Sequence, residues 1–323
     1  MRRLALCLAV AVTALGAVPV ALADGGPFFV TQGGAGVANH DGRFHYIAVS
    51  NGPRSTTLEE VQVAGGLVNS WIPLKGSWGT PILGATVQSG QGLSRDGRTL
   101  VLSSIMGPGS SPSRFLVIDT RRMRALRTIV LHGSFSFDAL SPNASRMYLI
   151  QYAYARSGDL TDYVVRDYDL RTNRLLPGRI AARSDDEEKM AGTPMTRTAS
   201  AGGRWVYTLY QKPFGEPFIH ALDTVGAAAY CIDLPRNRGL YNIALSMRNG
   251  GRTLALRWRS GRPWLNVAVG SWRISAPSAA FPWAWVGAAI GGVLALLLAA
   301  VLVLRRRRSE ELEQHAGQEL GLA

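Results

Sequence analysis

Apolar and polar positions fall into three regimes along the chain. From Leu4 to Val20 an almost unbroken apolar stretch follows the basic start Met1-Arg2-Arg3. From Trp283 to Leu304 a second run, "WAWVGAAIGGVLALLLAAVLVL", carries no charge and is followed by Arg305 to Arg308. Between them, apolar residues come in short bursts rich in Val, Ile, Tyr, Phe and Trp. The bursts alternate loosely with polar residues and are separated by Gly, Asp, Asn, Pro and Ser. Bursts of that length between turn formers predict β-strands. The 22 charge-free residues of the second long run, rising ~1.5 Å each as a helix, would reach ~33 Å, enough for a bilayer core.

The two ends predict where the chain resides. A basic start, an apolar segment and small residues at Ala21 and Ala23 form a secretory signal, with cleavage between Ala23 and Asp24. In the second run, Trp283 and Trp285 suit one headgroup region, and the arginine cluster marks the cytoplasmic side. No LPxTG-like motif precedes it, so a retained anchor is expected rather than a sorting signal. The predicted order is a signal at 1–23, an extracytoplasmic domain at 24–275, a linker at 276–282, a transmembrane helix at 283–304 and a cytoplasmic tail at 305–323.

The middle of the chain repeats itself. "DGRTLVLSS" (96–104) has counterparts in "DGRFHYIAV" (41–49), "ASRMYLIQY" (144–152), "GGRWVYTLY" (202–210) and "GGRTLALRW" (250–258). Their arginines, at 43, 98, 146, 204 and 252, lie 48 to 58 residues apart. Asp-Gly, Gly-Gly and Pro-Asn supply the turn geometry of a hairpin. Small residues before each turn, as in "GAGVAN" (34–39) and "GQGLS" (90–94), suit strands crowded around an axis. Further strands end in a turn aspartate, as in "SRFLVIDT" (113–120) and "PFIHALDT" (217–224), and a fourth strand follows each. Four antiparallel strands in about fifty residues make one propeller blade.

The unit "LSRDGRTLVLSS…SRFLVIDT" resembles the WD40-like repeats of secreted bacterial propellers, including the TolB-type and YVTN-type proteins. It lacks the Gly-His and Trp-Asp pairs of eukaryotic WD40 domains. The resemblance implies an all-β propeller of about five four-stranded blades, with room for a sixth in the wide spacings 47–90 and 180–197. It implies little about function, since propellers host many activities. "PFFVT" (27–31) is expected to pair with the last blade and close the ring.

Charge adds a class of partner. The formal charge is +13, and residues 24–282 keep 29 basic against 18 acidic residues. That excess favours anionic neighbours such as headgroups, envelope polymers or acidic proteins, and an exported domain makes nucleic acid a poor partner. Of two cysteines only Cys231 survives signal removal, so no internal disulfide is expected.

Candidate chemistry is sparse. His40, His45, His132, His220 and His315 show no metal-ligand spacing, and no P-loop, C-x-x-C or G-x-S-x-G motif occurs. "SDDEEK" (184–189) lacks the alternation of a calcium loop and reads as a solvated connection. No catalytic, cofactor or metal residue is expected. Two segments, 103–114 and 151–162, read as rim loops, and Tyr152, Tyr154 and Arg156 are the candidate recognition residues. Gly287 and Gly291 form a G-x-x-x-G that would let two membrane helices dimerise. The sequence thus points to a single-pass binding or scaffold module for a protein, glycan or anionic wall polymer. The alternatives are a hydrolase or lactonase with a site in the central channel, and a surface receptor or sensor subunit.

Overall fold

The computed structural model describes residues 29–82, 90–105, 111–157, 160–180, 192–212, 216–237, 239–277 and 291–305. The signal at 1–23 with its Ala23–Asp24 junction, the acidic cluster at 184–189, and Gly287 lie outside the described residues. Two compact units divide the chain, Met1–Ala276 and Pro277–Ala323.

The first unit is all-β. After β1 (Phe29–Thr31) come β2 (Val37–Ala38), β3 (Phe44–Ser50), β4 (Ser55–Gln62) and β5 (Val68–Lys75), which form the first sheet. The second sheet holds β6 (Trp78–Ile82), β7 (Thr99–Ser104), β8 (Ser113–Asp119) and β9 (Arg124–Leu131). The third holds β10 (Ser134–Leu140), β11 (Arg146–Tyr154), β12 (Leu160–Asp169) and β13 (Arg174–Leu175). The fourth holds β14 (Thr193–Ala199), β15 (Trp205–Gln211), β16 (Phe218–Asp223) and β17 (Ala228–Asp233). The fifth holds β18 (Ile243–Arg248), β19 (Thr253–Trp258), β20 (Pro263–Ala268) and β21 (Ile274–Ser275). Each is an antiparallel meander in chain order, which is a propeller-like arrangement of five sheets. The wide spacing after residue 47 is filled by β4, β5 and β6, and no sixth sheet occurs among the described residues.

The first strand departs from expectation. β1 does not pair with the last sheet; it lies beside β6 as a fifth strand of the second, with Phe29 opposite Ile82 and Thr31 opposite Thr80. Glycine at position 79 admits this close approach, since a Cβ there would stand 2.4 Å from the Thr31 carbonyl oxygen. Gln32 then donates its side-chain N–H to the Trp78 carbonyl at 2.9 Å.

A single turn design recurs in four sheets. Asn39, Ser94, Ser141 and Ser200 each accept, through the side chain, the backbone N–H five residues on (Phe44, Thr99, Arg146 and Trp205) at 2.9–3.0 Å. The residue three positions after each, Gly42, Gly97, Ala144 or Gly203, has φ between 51° and 74°. These bonds correct the repeat register. In the third unit Ser145, not Arg146, occupies the place of Arg43, Arg98, Arg204 and Arg252. The carbonyls of those five residues accept the backbone N–H groups of Leu170, Val63, Thr120, Thr224 and Val269 respectively. The turn therefore needs a backbone carbonyl at this place, and the arginine side chain is free for other work.

Most core strands bury both faces, so they read as near-continuous apolar runs rather than clean alternations. Leu100, Leu102 and Ile118 pack with Tyr46, Leu58 and Leu74 of the first sheet. Their neighbours Val101, Phe115 and Val117 face the other way, onto Phe137, Met147 and Leu149 of the third. Tyr148 and Val165 meet Val206 and Leu222, while Ile150 and Tyr163 meet Tyr210 and Phe218, joining the third sheet to the fourth. Tyr207, Leu209 and Ile219 share a cluster with Leu245, Leu254 and Leu256 of the fifth. Each fully buried Leu or Ile contributes ~2 kcal/mol. Among the described residues no such cluster joins the fifth sheet to the first.

In the second unit, residues 291–305 are helical and exposed. Among the described residues no helix is long and apolar enough to cross a membrane. Gly291 has open space where a Cβ would stand.

Two glycines of the second sheet separate two causes of cost. Gly92 has φ +103° and a Cβ there would lie 2.4 Å from the Val101 carbonyl, whereas Gly97 has φ +70° and nothing within 4 Å. Gly97→Ala is expected to lose ~1 kcal/mol from the backbone alone. Gly92→Ala is expected to lose ~3 kcal/mol or more, because a carbonyl must also move. Urea unfolding midpoints of the two variants check the ranking.

Candidate functional site

The hydrogen bonds that fix the repeat also build a face. In each sheet the turn between first and second strands meets the turn between third and fourth, through the bonds to Val63, Thr120, Leu170, Thr224 and Val269. Ten turns therefore share one side of the unit, here called the turn face. The chain leaves the fifth sheet through β21, which runs away from this face.

Carboxylates on the turn face are engaged locally. Asp41 accepts the backbone N–H of Arg43 at 2.9 Å and its Nε–H at 2.8 Å. Asp96 accepts the Ser94 hydroxyl at 2.6 Å and the Arg98 N–H at 3.0 Å. Asp119 holds Arg122, Asp169 accepts the N–H groups of Arg171 and Thr172, and Asp223 binds Arg204 in a two-pronged contact at 2.7 and 3.0 Å. The backbone N–H of Arg43 holds the Asp41 carboxyl below the usual carboxylate range, and that of Thr172 does the same for Asp169. Arg95, Arg98, Arg121, Arg248, Arg252 and Arg273 are exposed on the same turns. Among the described residues none of these six has a carboxylate in ion-pair range.

Two depressions open near this face. The larger, about 600 Å³, lies between the first and second sheets and is lined by Asp41, Glu60, Asn69, Arg95 and Arg121 among others. The smaller, about 360 Å³, is lined by inner-strand residues of the second, third and fourth sheets, including Gln91, Asp138 and Arg197. His40 and Arg95 line both. His40 Nε2 donates to the Ser94 carbonyl at 3.1 Å, so Nδ1 is left to accept from Arg95 Nη1 at 2.8 Å. Burial, and then the Arg95 charge, lower the His40 pKa, which keeps the ring neutral.

One wall of the smaller depression is a buried ion pair. Arg197 and Asp138 have side chains 5% and 2% exposed. Arg197 also donates to the Asp138 carbonyl and, at 2.9 Å, to the Thr208 hydroxyl. In cross-strand register, Arg197, Thr208, His220 and Cys231 stand side by side across the fourth sheet. His220 Nδ1 is 4.0 Å from Cys231 Sγ, and its Nε2 is buried without a hydrogen-bond partner. Burial depresses the His220 pKa to about 4.

Two serine hydroxyls near the depressions serve the turns. Ser94 donates to Asp96 and accepts from Thr99, and Ser200 accepts from Trp205. Both nitrogens of His40 are likewise engaged. Neither serine is poised as a nucleophile beside a free base. Among the described residues no group of three or more His, Cys, Asp or Glu side chains could hold a metal ion.

The expected recognition loop is mostly strand. β11 continues to Tyr154 and β12 starts at Leu160. Tyr152 is turned into the core between the third and fourth sheets, 7% exposed, with its hydroxyl 2.9 Å from Ser136 Oγ and its ring against Tyr163. Tyr154 is half-buried against the same cluster. Only Arg156, beyond the strand end on the side opposite the turn face, is exposed. Aromatic residues at alternate positions mark a strand face buried by a neighbouring sheet as readily as they mark a loop that binds. Sequence reasoning passed over Arg121 and assigned the turn around Arg95 to the hairpin scaffold. The signal that would have found them is an arginine in a turn whose aspartate is already claimed by the backbone.

No family model matches the chain, and no curated protein is similar to it in sequence. Among solved structures it is similar to Kuenenia stuttgartiensis hydrazine synthase, at 15% identity and TM-score 0.48, over 72% of this chain and 70% of that one. It is similar to TolB from Acinetobacter baumannii at 11% identity and TM-score 0.42, over 76% of this chain and 56% of that one. It is also similar to the Cps50 (Swd1) β-propeller domain of Myceliophteria thermophila, at 12% identity and TM-score 0.44, over 79% and 72%.

His220 makes stability depend on pH. Its folded pKa of about 4 lies below the unfolded value of 6.5, so the unfolded chain binds the extra proton between those values. Stability from this group is complete above pH ~6.5 and is lost as pH falls toward 4, by roughly 3 kcal/mol. Denaturant unfolding at pH 7 and pH 4.5 should show a clearly smaller loss in His220→Gln than in the parent. Equal losses would mean that other groups carry the acid sensitivity.

Proposed function

We propose that the protein is a membrane-anchored binding module of the cell envelope that docks an anionic partner on its turn face. The observation that carries this reading is the set of six exposed arginines without carboxylates, on a face whose aspartates are all tied into their own turns. Guanidinium groups stay charged at any physiological pH, so the excess cannot be titrated away. An uncompensated patch of one sign raises the local concentration of oppositely charged ligands and speeds their arrival. Its reach is set by salt, with a screening length of ~8 Å at physiological ionic strength. The hydrolase reading asks for a free nucleophile or base at the channel mouth, and Ser94, Ser200 and His40 there are already engaged in hydrogen bonds.

The docking claim has a direct test. The full chain should bind polygalacturonate and long-chain polyphosphate at 50 mM salt, with affinity falling steeply by 300 mM. The triple variant Arg98→Ser, Arg121→Ser, Arg252→Ser should bind about tenfold or more weakly. The opposite-side double variant Arg54→Ser, Arg156→Ser should bind as the parent does. No binding at low salt, or equal losses in both variants, would sink the proposal.

Anchoring is the second half of the reading, and it rests on the apolar stretch 283–304 and the signal-like start at 1–23. Gly287 and Gly291 belong to that proposed span and offer a surface for a second copy. Membranes from expressing cells should retain the protein through alkaline carbonate washing. Deleting 283–304 should release it into the soluble fraction, and a chain that washes off intact is not anchored this way.

A further inference from the structure

We infer that the larger depression receives an acidic sugar unit, a polyhydroxylated ring carrying one carboxylate. This rests on the anion-docking reading above and names the ligand class of that face. The depression combines two kinds of wall within about 600 Å³, a volume ordinary for a small-ligand site.

One wall is cationic. Arg95 directs one donor to His40, and a guanidinium has five in a fixed fork. Its stem is steadied by the fourth sheet, where a Cβ at Gly203 would lie 3.1 Å from Arg95 Cβ. Arg121 stands on the neighbouring turn. A planar carboxylate matches such a fork in a two-pronged contact.

The other wall is made of fixed acceptors. Glu60 receives the Tyr46 hydroxyl on Oε1 at 3.0 Å and the Asn69 side-chain N–H on Oε2 at 2.5 Å. Burial, and then the bond to Glu60, push the Tyr46 pKa to about 12, so its proton stays in place and orients the carboxylate. Each carboxylate oxygen can accept a second hydrogen bond, and the Asn69 carbonyl oxygen is a further acceptor. Acceptors of this sort repel a bare phosphate chain, and they are what sugar hydroxyls require. Phe44, half-buried, also lines the depression, with the Arg43 guanidinium 5.8 Å from its ring centre. Its ring gives an apolar surface for the C–H face of a sugar. A ligand satisfying both walls must carry negative charge and several hydroxyls together.

The test titrates the full chain at 150 mM salt with three probes: trigalacturonic acid, its neutral methyl ester, and tripolyphosphate. Trigalacturonate should bind at least tenfold more tightly than either of the others. Arg95→Ala should weaken trigalacturonate at least tenfold and leave the methyl ester unchanged. Glu60→Gln should weaken both sugars alike. Arg121→Ala, on an exposed turn, repeats the charge test should Arg95→Ala fail to fold. Tripolyphosphate binding as well as trigalacturonate, or indifference of trigalacturonate to both arginine variants or to Glu60→Gln, overturns the inference. If the trimer fails while long polyanions still bind in the arginine-dependent way, the sugar site falls and the docking face stands. If neither binds, both fall.

Discussion

No sheet in the first unit can bury its own faces, and mutual burial between neighbouring sheets is the constraint on which the rest depends. The second sheet turns Leu100, Leu102 and Ile118 one way and Val101, Phe115 and Val117 the other. Neither set has water to fall back on. That demand brings Gly90 of the second sheet against the first, where a Cβ would stand 2.8 Å from the Gly36 carbonyl oxygen, while Gly36, Gly79 and Gly92 are closed off at 2.3–2.4 Å by backbone of their own sheets. It also places Asp138 and Arg197 together in the joint between third and fourth sheets. Such a pair rarely adds net stability, because desolvation opposes the attraction. Its geometry, with carboxylate, carbonyl and Thr208 hydroxyl all on one guanidinium, instead fixes how those two sheets meet.

Turn chemistry links this scaffold to the surface. A carboxylate placed to close a turn accepts N–H groups from its own backbone, and an arginine of the same turn often completes it. Every such aspartate is then an internal part, electrically speaking. Arginines added beyond that requirement have nothing local to neutralise them. The positive face is thus a by-product of how the turns are closed, extended by residues such as Arg95 and Arg121 that the turns do not need.

The sequence carried the architecture well because turns are local. Asp-Gly and Gly-Gly pairs, the serine or asparagine before them and the aspartate ending the third strand all act within a few residues, so five units were countable. What failed was non-local. The arginine spacing misplaced Arg146 by one position, since the structure needs a backbone carbonyl there and any side chain can supply one. Tyr152 looked exposed because nothing nearby in sequence reveals that Tyr163 and the fourth sheet cover it. The strand at 29–31 joins β6, fifty residues away, through a close approach that only Gly79 permits. The pairing of His40 with Arg95, 55 residues apart, is likewise invisible until two turns are set side by side.

The placement of β1 makes the two ends of the row unequal. From β1 in the second sheet the chain leaves to build the whole first sheet, and it returns to the second at β6. The first sheet is therefore a closed loop, stapled at both of its ends to the same neighbour. Among the described residues the fifth sheet is joined to the other sheets through its entry alone, and its shared core lies on one side, with the fourth. In a linear array coupled through nearest neighbours, opening begins where the fewest couplings must break. Fraying should therefore run inward from the C-terminal sheet, and amide protons of β18–β21 should exchange before those of β2–β5.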